Sequence, residues 1–113
     1  MLLVEDSINV IHVSTHVSLR QACDLVKKDR IVQVIELMVD GLKRLGKTNL
    51  RIGVAGLNPH AGESGTIGKE EQEIINPICN KLRQNGIDCT DALPDDSAFS
   101  SFNRTKYDAY IAM

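Results

Sequence analysis

The side chains best suited to chemistry in this chain are three imidazoles and a few carboxylates. His60 sits in a glycine-rich loop, Gly56-Leu57-Asn58-Pro59-His60-Ala61-Gly62-Glu63-Ser64-Gly65-Thr66-Ile67-Gly68, with Glu63 three residues on. His16 ends an apolar, β-branched run in the word Ser14-Thr15-His16, just before a helix start. Neutral imidazoles suit zinc, cobalt, manganese or iron. A lone strand-end histidine is more commonly a structural hydrogen-bonder, and a loop histidine divides evenly between the two roles. As a pair they carry more, because both follow elements able to converge on one cleft. Three protein ligands are usual in a catalytic metal site, so two leave it incomplete. His12 would share a strand face with His16 and is a weaker candidate for the third.

The elements that must position these residues can be read from patterning. Leu2 to Glu5 reads as a strand, Asp6-Ser7 as a turn and Ile8 to Val17 as a second strand, forming an N-terminal hairpin. Its alternation predicts Ile11, Val13, Thr15 and Val17 buried, with His12, Ser14 and His16 facing a cleft or a partner. Ser18-x-x-Gln21 is a capping-box pattern opening a helix through about Lys28. Asp29 can cap a second helix, Arg30 to Leu45, which Gly46 can end. That helix carries an apolar stripe wider than one face needs. It is either a buried core helix or one that faces another subunit.

Leu50 to Ala55 reads as a strand leading into the loop. Lys69 to Asn85 reads as a helix stopped by Gly86, with Pro77 inside it as a kink. Ile87 to Leu93 is a further strand, Asp95 to Phe102 a helical turn and Tyr107 to Met113 a last strand. Alternating strands and helices predict an α/β layer with parallel pairing. The loop lacks Gly-x-Gly-x-x-Gly, and Gly68-Lys69 is followed by Glu70, so neither a dinucleotide fingerprint nor a nucleotide-hydrolase phosphate loop is supported.

A length of 113 residues fits one small domain with a core. A net charge of −2 gives no sign of nucleic acid or a membrane surface as partner. No apolar run nears the roughly 20 residues of a membrane span, and the N-terminal residues lack the basic region of a signal peptide. Cys23, Cys79 and Cys89 form no Cys-x-x-Cys pair and read as reduced, mostly buried thiols of a cytoplasmic protein.

Asn58-Pro59-His60-Ala61-Gly62-Glu63, with Gly65, Gly68 and Glu70-Glu71, resembles the signature loop of the 4-hydroxythreonine-4-phosphate dehydrogenases. Ser14-Thr15-His16 with Leu19-Arg20 resembles the family's first metal-histidine region. The resemblance implies His16 and His60 as metal ligands. It places the third ligand in a Tyr-His-Asp-Gln word after a strand ending Ala-Met, as this sequence ends in Ala112-Met113. Leu93-Pro94-Asp95-Asp96-Ser97-Ala98-Phe99 resembles the family's Pro-Ala-Asp-Thr word. Asp96 would then orient substrate or a metal ligand, or else cap a short helix. Glu63 divides between fixing the loop and supporting a ligand; Glu70 and Glu71 read as complements to a helix dipole.

The implied fold is of the isocitrate/isopropylmalate dehydrogenase type, and residues 1–113 would be a single metal-binding and dimer-forming fragment of one of its two domains. The implied activity is NAD-dependent oxidation of 4-hydroxythreonine 4-phosphate to a ketone, then decarboxylation, in pyridoxal phosphate synthesis. The implied cofactors are NAD and a divalent metal (zinc, cobalt, manganese or magnesium). The implied partners are a small phosphorylated hydroxy acid and a second copy in a homodimer. One alternative is a related dehydrogenase for threonate or erythronate 4-phosphate. Another is a non-enzymatic, truncated module that only binds metal or dimerises.

Overall fold

The computed structural model describes residues 2–5, 8–47, 49–94 and 107–113. Five strands form one sheet: β1 (Leu2–Glu5), β2 (Ile8–His12), β3 (Arg51–Ala55), β4 (Asp88–Leu93) and β5 (Ala109–Ala112). The spatial order is β1-β2-β5-β3-β4. β1 pairs antiparallel with β2, and the other pairings are parallel. The turn residues Asp6 and Ser7 lie outside the described residues.

One sheet face is covered by two helices, α2 (Lys28–Arg44) and α3 (Asn76–Gln84). α2 presents Ile31, Val34, Ile35, Met38 and Leu42 to the core, a run at helical spacing that keeps one face inward. These meet Ile78, Cys79 and Leu82 of α3 and Ile52, Val54, Cys89, Ala109 and Ile111 of the sheet. Each full burial of such an aliphatic side chain contributes roughly 1.5–3 kcal/mol. On the opposite face Tyr110 is fully buried, edge-on to Tyr107 with ring centroids 5.7 Å apart. Gly53 lies beneath them, where a Cβ would come within 3.1 Å of both rings.

Several boundaries differ from the sequence expectation. β2 ends at His12 rather than Val17, opposite Ala112 where its partner β5 also ends, and the backbone then turns into the left-handed region at His16 (φ 56°). Val13 is buried as expected, but Thr15 and Val17 are exposed, so the predicted alternation stops with the strand. The capping box at Ser18 and Gln21 is present, yet α1 (Leu19–Asp24) ends early, before Lys28. α2 begins at Lys28, so Asp29 lies in its first turn, where it complements the dipole, and is not its cap. α2 ends with Gly46 N–H donating to Lys43 O and Lys47 N–H to Leu42 O, a Schellman closure.

The expected helix from Lys69 to Asn85 is two pieces. A π-turn, Glu71–Ile75, precedes α3, and Asn76 N–H donates to Glu71 O across it. Pro77 falls at the start of α3, where its missing N–H and ring are tolerated. The wider turn absorbs what the sequence suggested as a kink. The expected helical turn Asp95 to Phe102, and Asp96 with it, lies outside the described residues. The last strand is Ala109–Ala112, shorter than Tyr107 to Met113.

Candidate functional site at the carboxyl edge of the sheet

Parallel pairing brings the candidate histidines to one edge. His12 is in register with Ala112, Val54 with Ile111, and Ala55 with Leu93. The carboxyl ends of β2, β5, β3 and β4 are therefore level. His16 follows β2 by four residues and His60 follows β3 by five, with Met113 leaving β5 between them. Crossing β5 separates the two outer strands by roughly 10 Å, a span their loops can bridge. In parallel α/β sheets, ligands bind outside these strand ends.

Both histidines are exposed. His16 stands on a segment pinned by Val13 N–H to Ala112 O at 2.8 Å and Ser14 Oγ to Met113 O at 3.0 Å. Arg30 Nε also donates to Val13 O at 3.0 Å. Hydrogen bonds from β5 and α2 thus set the direction in which this segment leaves the sheet.

The His60 loop is more unusual. Pro59–Gly65 is hydrogen-bonded like a short helix, but His60, Ala61, Gly62, Glu63 and Ser64 all have φ between 44° and 82°. For a non-glycine residue this costs roughly 1–2 kcal/mol, so the surroundings must hold it. Ala61 N–H donates to Asn58 O at 3.1 Å, and Ile67 N–H to Gly62 O at 3.0 Å. At Gly62 a Cβ would fall 2.6 Å from Gly68 O and 3.1 Å from Glu71 Oε1, so only glycine fits. Gly62 and Gly68 thus let the loop backbone pack closely against the protein itself.

The anchor of the loop is Asn58. Its Nδ2 donates to Glu70 Oε1 at 2.7 Å and to Glu71 Oε1 at 2.8 Å, and its backbone N–H donates to Glu71 Oε2 at 3.3 Å. Glu71 is 1% exposed. The Asn58 hydrogen bond, aided by backbone donors, holds the Glu70 carboxyl below its ordinary value. Glu70 and Glu71 are thus more than dipole complements. A doubled carboxylate, twelve and thirteen residues after the Asn58 of an Asn-Pro word, was the available signal. Glu63 is exposed on the left-handed turn.

His12 Nδ1 is buried and has no hydrogen-bond partner. A neighbouring apolar cavity of about 300 Å³ is lined by Leu19, Ala22 and Cys23 of α1 with Ala55, Leu57 and Met113. The thiols are mostly buried, as expected: Cys79 and Cys89 are buried and Cys23 is exposed. Cys89 Sγ donates to the Cys79 carbonyl oxygen at 3.5 Å, and the neighbouring Cys89 thiol, with burial, raises the pKa of Cys79. Among the described residues no three of His, Cys, Asp and Glu gather to hold an ion. The edge offers two imidazoles whose donor chemistry fits a borderline divalent metal, with β5 ending between them.

The family described as pyridoxal phosphate biosynthetic protein PdxA matches residues 1–113. The chain is 43% identical over its whole length to a D-threonate 4-phosphate dehydrogenase of Pectobacterium atrosepticum, covering 35% of that protein. It is 42% identical to a 4-hydroxythreonine-4-phosphate dehydrogenase of Bradyrhizobium diazoefficiens, covering 33% of it. A crystal structure of 4-hydroxythreonine-4-phosphate dehydrogenase from Klebsiella pneumoniae superposes on 98% of the chain with a TM-score of 0.93 and 40% identity, over 34% of its own length. The chain thus spans about a third of the length of these relatives. With a parallel α/β sheet, the histidine-bearing edge and a family match along its full length, this chain belongs to the PdxA family.

Proposed function

We propose that this chain forms the metal-binding edge of an NAD-dependent dehydrogenase for small phosphorylated hydroxy acids. The observation that carries the reading is the level carboxyl ends of β2, β5 and β3, which put His16 and His60 on either side of the β5 exit. His16 and His60 would hold a divalent ion, and the third ligand would come from residues beyond β5. Such an ion acidifies the substrate hydroxyl and stabilises the negative charge that develops on it. Asn58, Glu70 and Glu71 hold the loop that carries His60. Asp96 would orient substrate or a metal ligand.

The overall reaction converts a secondary alcohol and NAD⁺ to a ketone, NADH and a proton, after which the β-keto acid releases carbon dioxide. 4-Hydroxythreonine 4-phosphate, on the route to pyridoxal phosphate, is the first substrate reading. D-Threonate 4-phosphate is a second, favoured by relatives of that name at 42–43% identity. The reading extends to an isocitrate/isopropylmalate dehydrogenase-type fold of two domains and a cytoplasmic homodimer. A truncated module that only binds metal or dimerises is the opposing reading. The test measures NADH formation by the full-length protein with each acid, before and after chelation. Turnover of one acid that chelation abolishes and cobalt restores supports the proposal. Absence of turnover with both acids, or turnover indifferent to chelation, overturns it.

A further inference from the structure

We propose that Asn58 and the buried Glu71 carboxylate are positioning residues for His60, acting through the left-handed turn that carries it. The inference rests on the metal reading for its purpose, but its geometry stands apart from that reading. Glu71 is the only buried charged side chain among the described residues, at 1% exposed. A carboxylate is not buried in this way without donors to satisfy it. Its donors come from one residue, Asn58, through both Nδ2 and the backbone N–H. With two carboxylates facing it, the Asn58 amide must present its NH₂ end, so the orientation is fixed chemically.

Asn58 stands two residues before His60, where the chain enters the left-handed turn. On the other side of His60, a Cβ on Gly62 would crowd Gly68 O and Glu71 Oε1, and a Cβ on Gly68 would overlap the Asn58 amide. The carboxylate therefore bonds the loop before His60 and lies close behind Gly62 after it. A left-handed run of four non-glycine residues and Gly62 reverts to ordinary backbone unless held. Such a reversal re-aims the imidazole. In metal sites, residues that orient a ligand from behind usually weaken metal binding by about 10- to 100-fold when changed.

The test uses Glu71→Gln, and a triple variant combining Asn58→Asp, Glu70→Gln and Glu71→Gln. The triple restores the hydrogen bonds with donors and acceptors exchanged. Two readouts are taken on the folded protein: the His60 imidazole signals by nitrogen-15 NMR, and cobalt(II) titration followed by paramagnetic broadening of those signals. Glu71→Gln is expected to shift the His60 signals and weaken cobalt binding about 10-fold or more; the triple variant is expected to recover both. A lower melting temperature with unchanged His60 signals and cobalt affinity would show that Glu71 serves the fold alone and would overturn the proposal. If Glu71→Gln does not fold, Asn58→Ser is read in the same way. A wild-type protein with no cobalt response at His60 refutes the metal reading, while the imidazole signals still decide the positioning role.

Discussion

Replacing His16 or His60 by alanine removes one of two imidazoles at the sheet edge. Each variant of the full-length protein is expected to lose most of its bound metal and keep its fold, because both residues are exposed. His12→Ala is expected to leave metal content unchanged. Elemental analysis beside a thermal melt checks this; unchanged metal in the His60 variant would remove it from the ligand set. Glu70 gives a pH prediction. Its folded pKa lies below the ordinary 4.5, chiefly through the Asn58 hydrogen bond. Its stabilising contribution is therefore complete above about pH 4.5 and fades as pH falls through the lower folded value. Glu70→Gln is expected to melt below wild type at neutral pH, with the two curves converging in acid. At this scale the His60 loop was legible because its glycines and Asn-Pro-His word are distinctive. The left-handed turn was not, because nothing in the types of His60, Ala61, Glu63 and Ser64 specifies the sign of φ. The Asn58–Glu71 contact follows no local period and was equally hidden.

α2 shows how a helix divides its apolar surface. Val34 and Met38 are fully buried, whereas Leu37 is 56% exposed. Leu37 and Val32 border a groove of about 1070 Å³ between α2 and α3, which Ile78 and Leu82 also line. Val34→Glu is expected to unfold the chain, since an unpaired buried charge costs about 3–5 kcal/mol. Leu37→Glu is expected to change stability by less than about 0.5 kcal/mol. If this side of α2 forms the proposed homodimer contact, Leu37→Glu alone will produce monomers. Sedimentation across a range of concentrations checks this: an unchanged dimer would place the contact elsewhere, and a wild-type monomer would refute the dimer. The extent of α2 was legible from its period. The early end of β2 was not, because the β-branched pattern continues past His12 after the strand has ended. Nor was the π-turn, since Pro77 predicts a disturbance without saying which carbonyls go unpaired.

At the scale of the molecule, the 113 residues cover about a third of the relatives they match. The isolated chain is expected to show no NAD-dependent turnover with either phosphorylated acid, because it spans only about a third of the length of the dehydrogenases it matches. Measurable NADH formation by this chain alone would contradict that expectation. Alternating strands and helices made the α/β class legible. The order β1-β2-β5-β3-β4 was not, because strand neighbours are set by pairings between residues distant in sequence. That order is nonetheless what makes sense of the two histidines, which lie 44 positions apart yet emerge on either side of one strand.

The central place of β5 also has a kinetic consequence. Of the five strands it is synthesised last, yet it fills the slot between β2 and β3. Asn9 waits for Asp108, and Ser14 for Met113, each across a separation of 99 residues. On the ribosome, β3, α3 and β4 can dock as a local unit while β1 and β2 still lack β5, the strand that joins them to it. Contacts of such long range are closed late and slowly. Until then β2 and β3 present unpaired edges, a template for pairing with another chain. Within this stretch, the nascent chain is therefore most vulnerable to misassembly in the interval before β5 emerges.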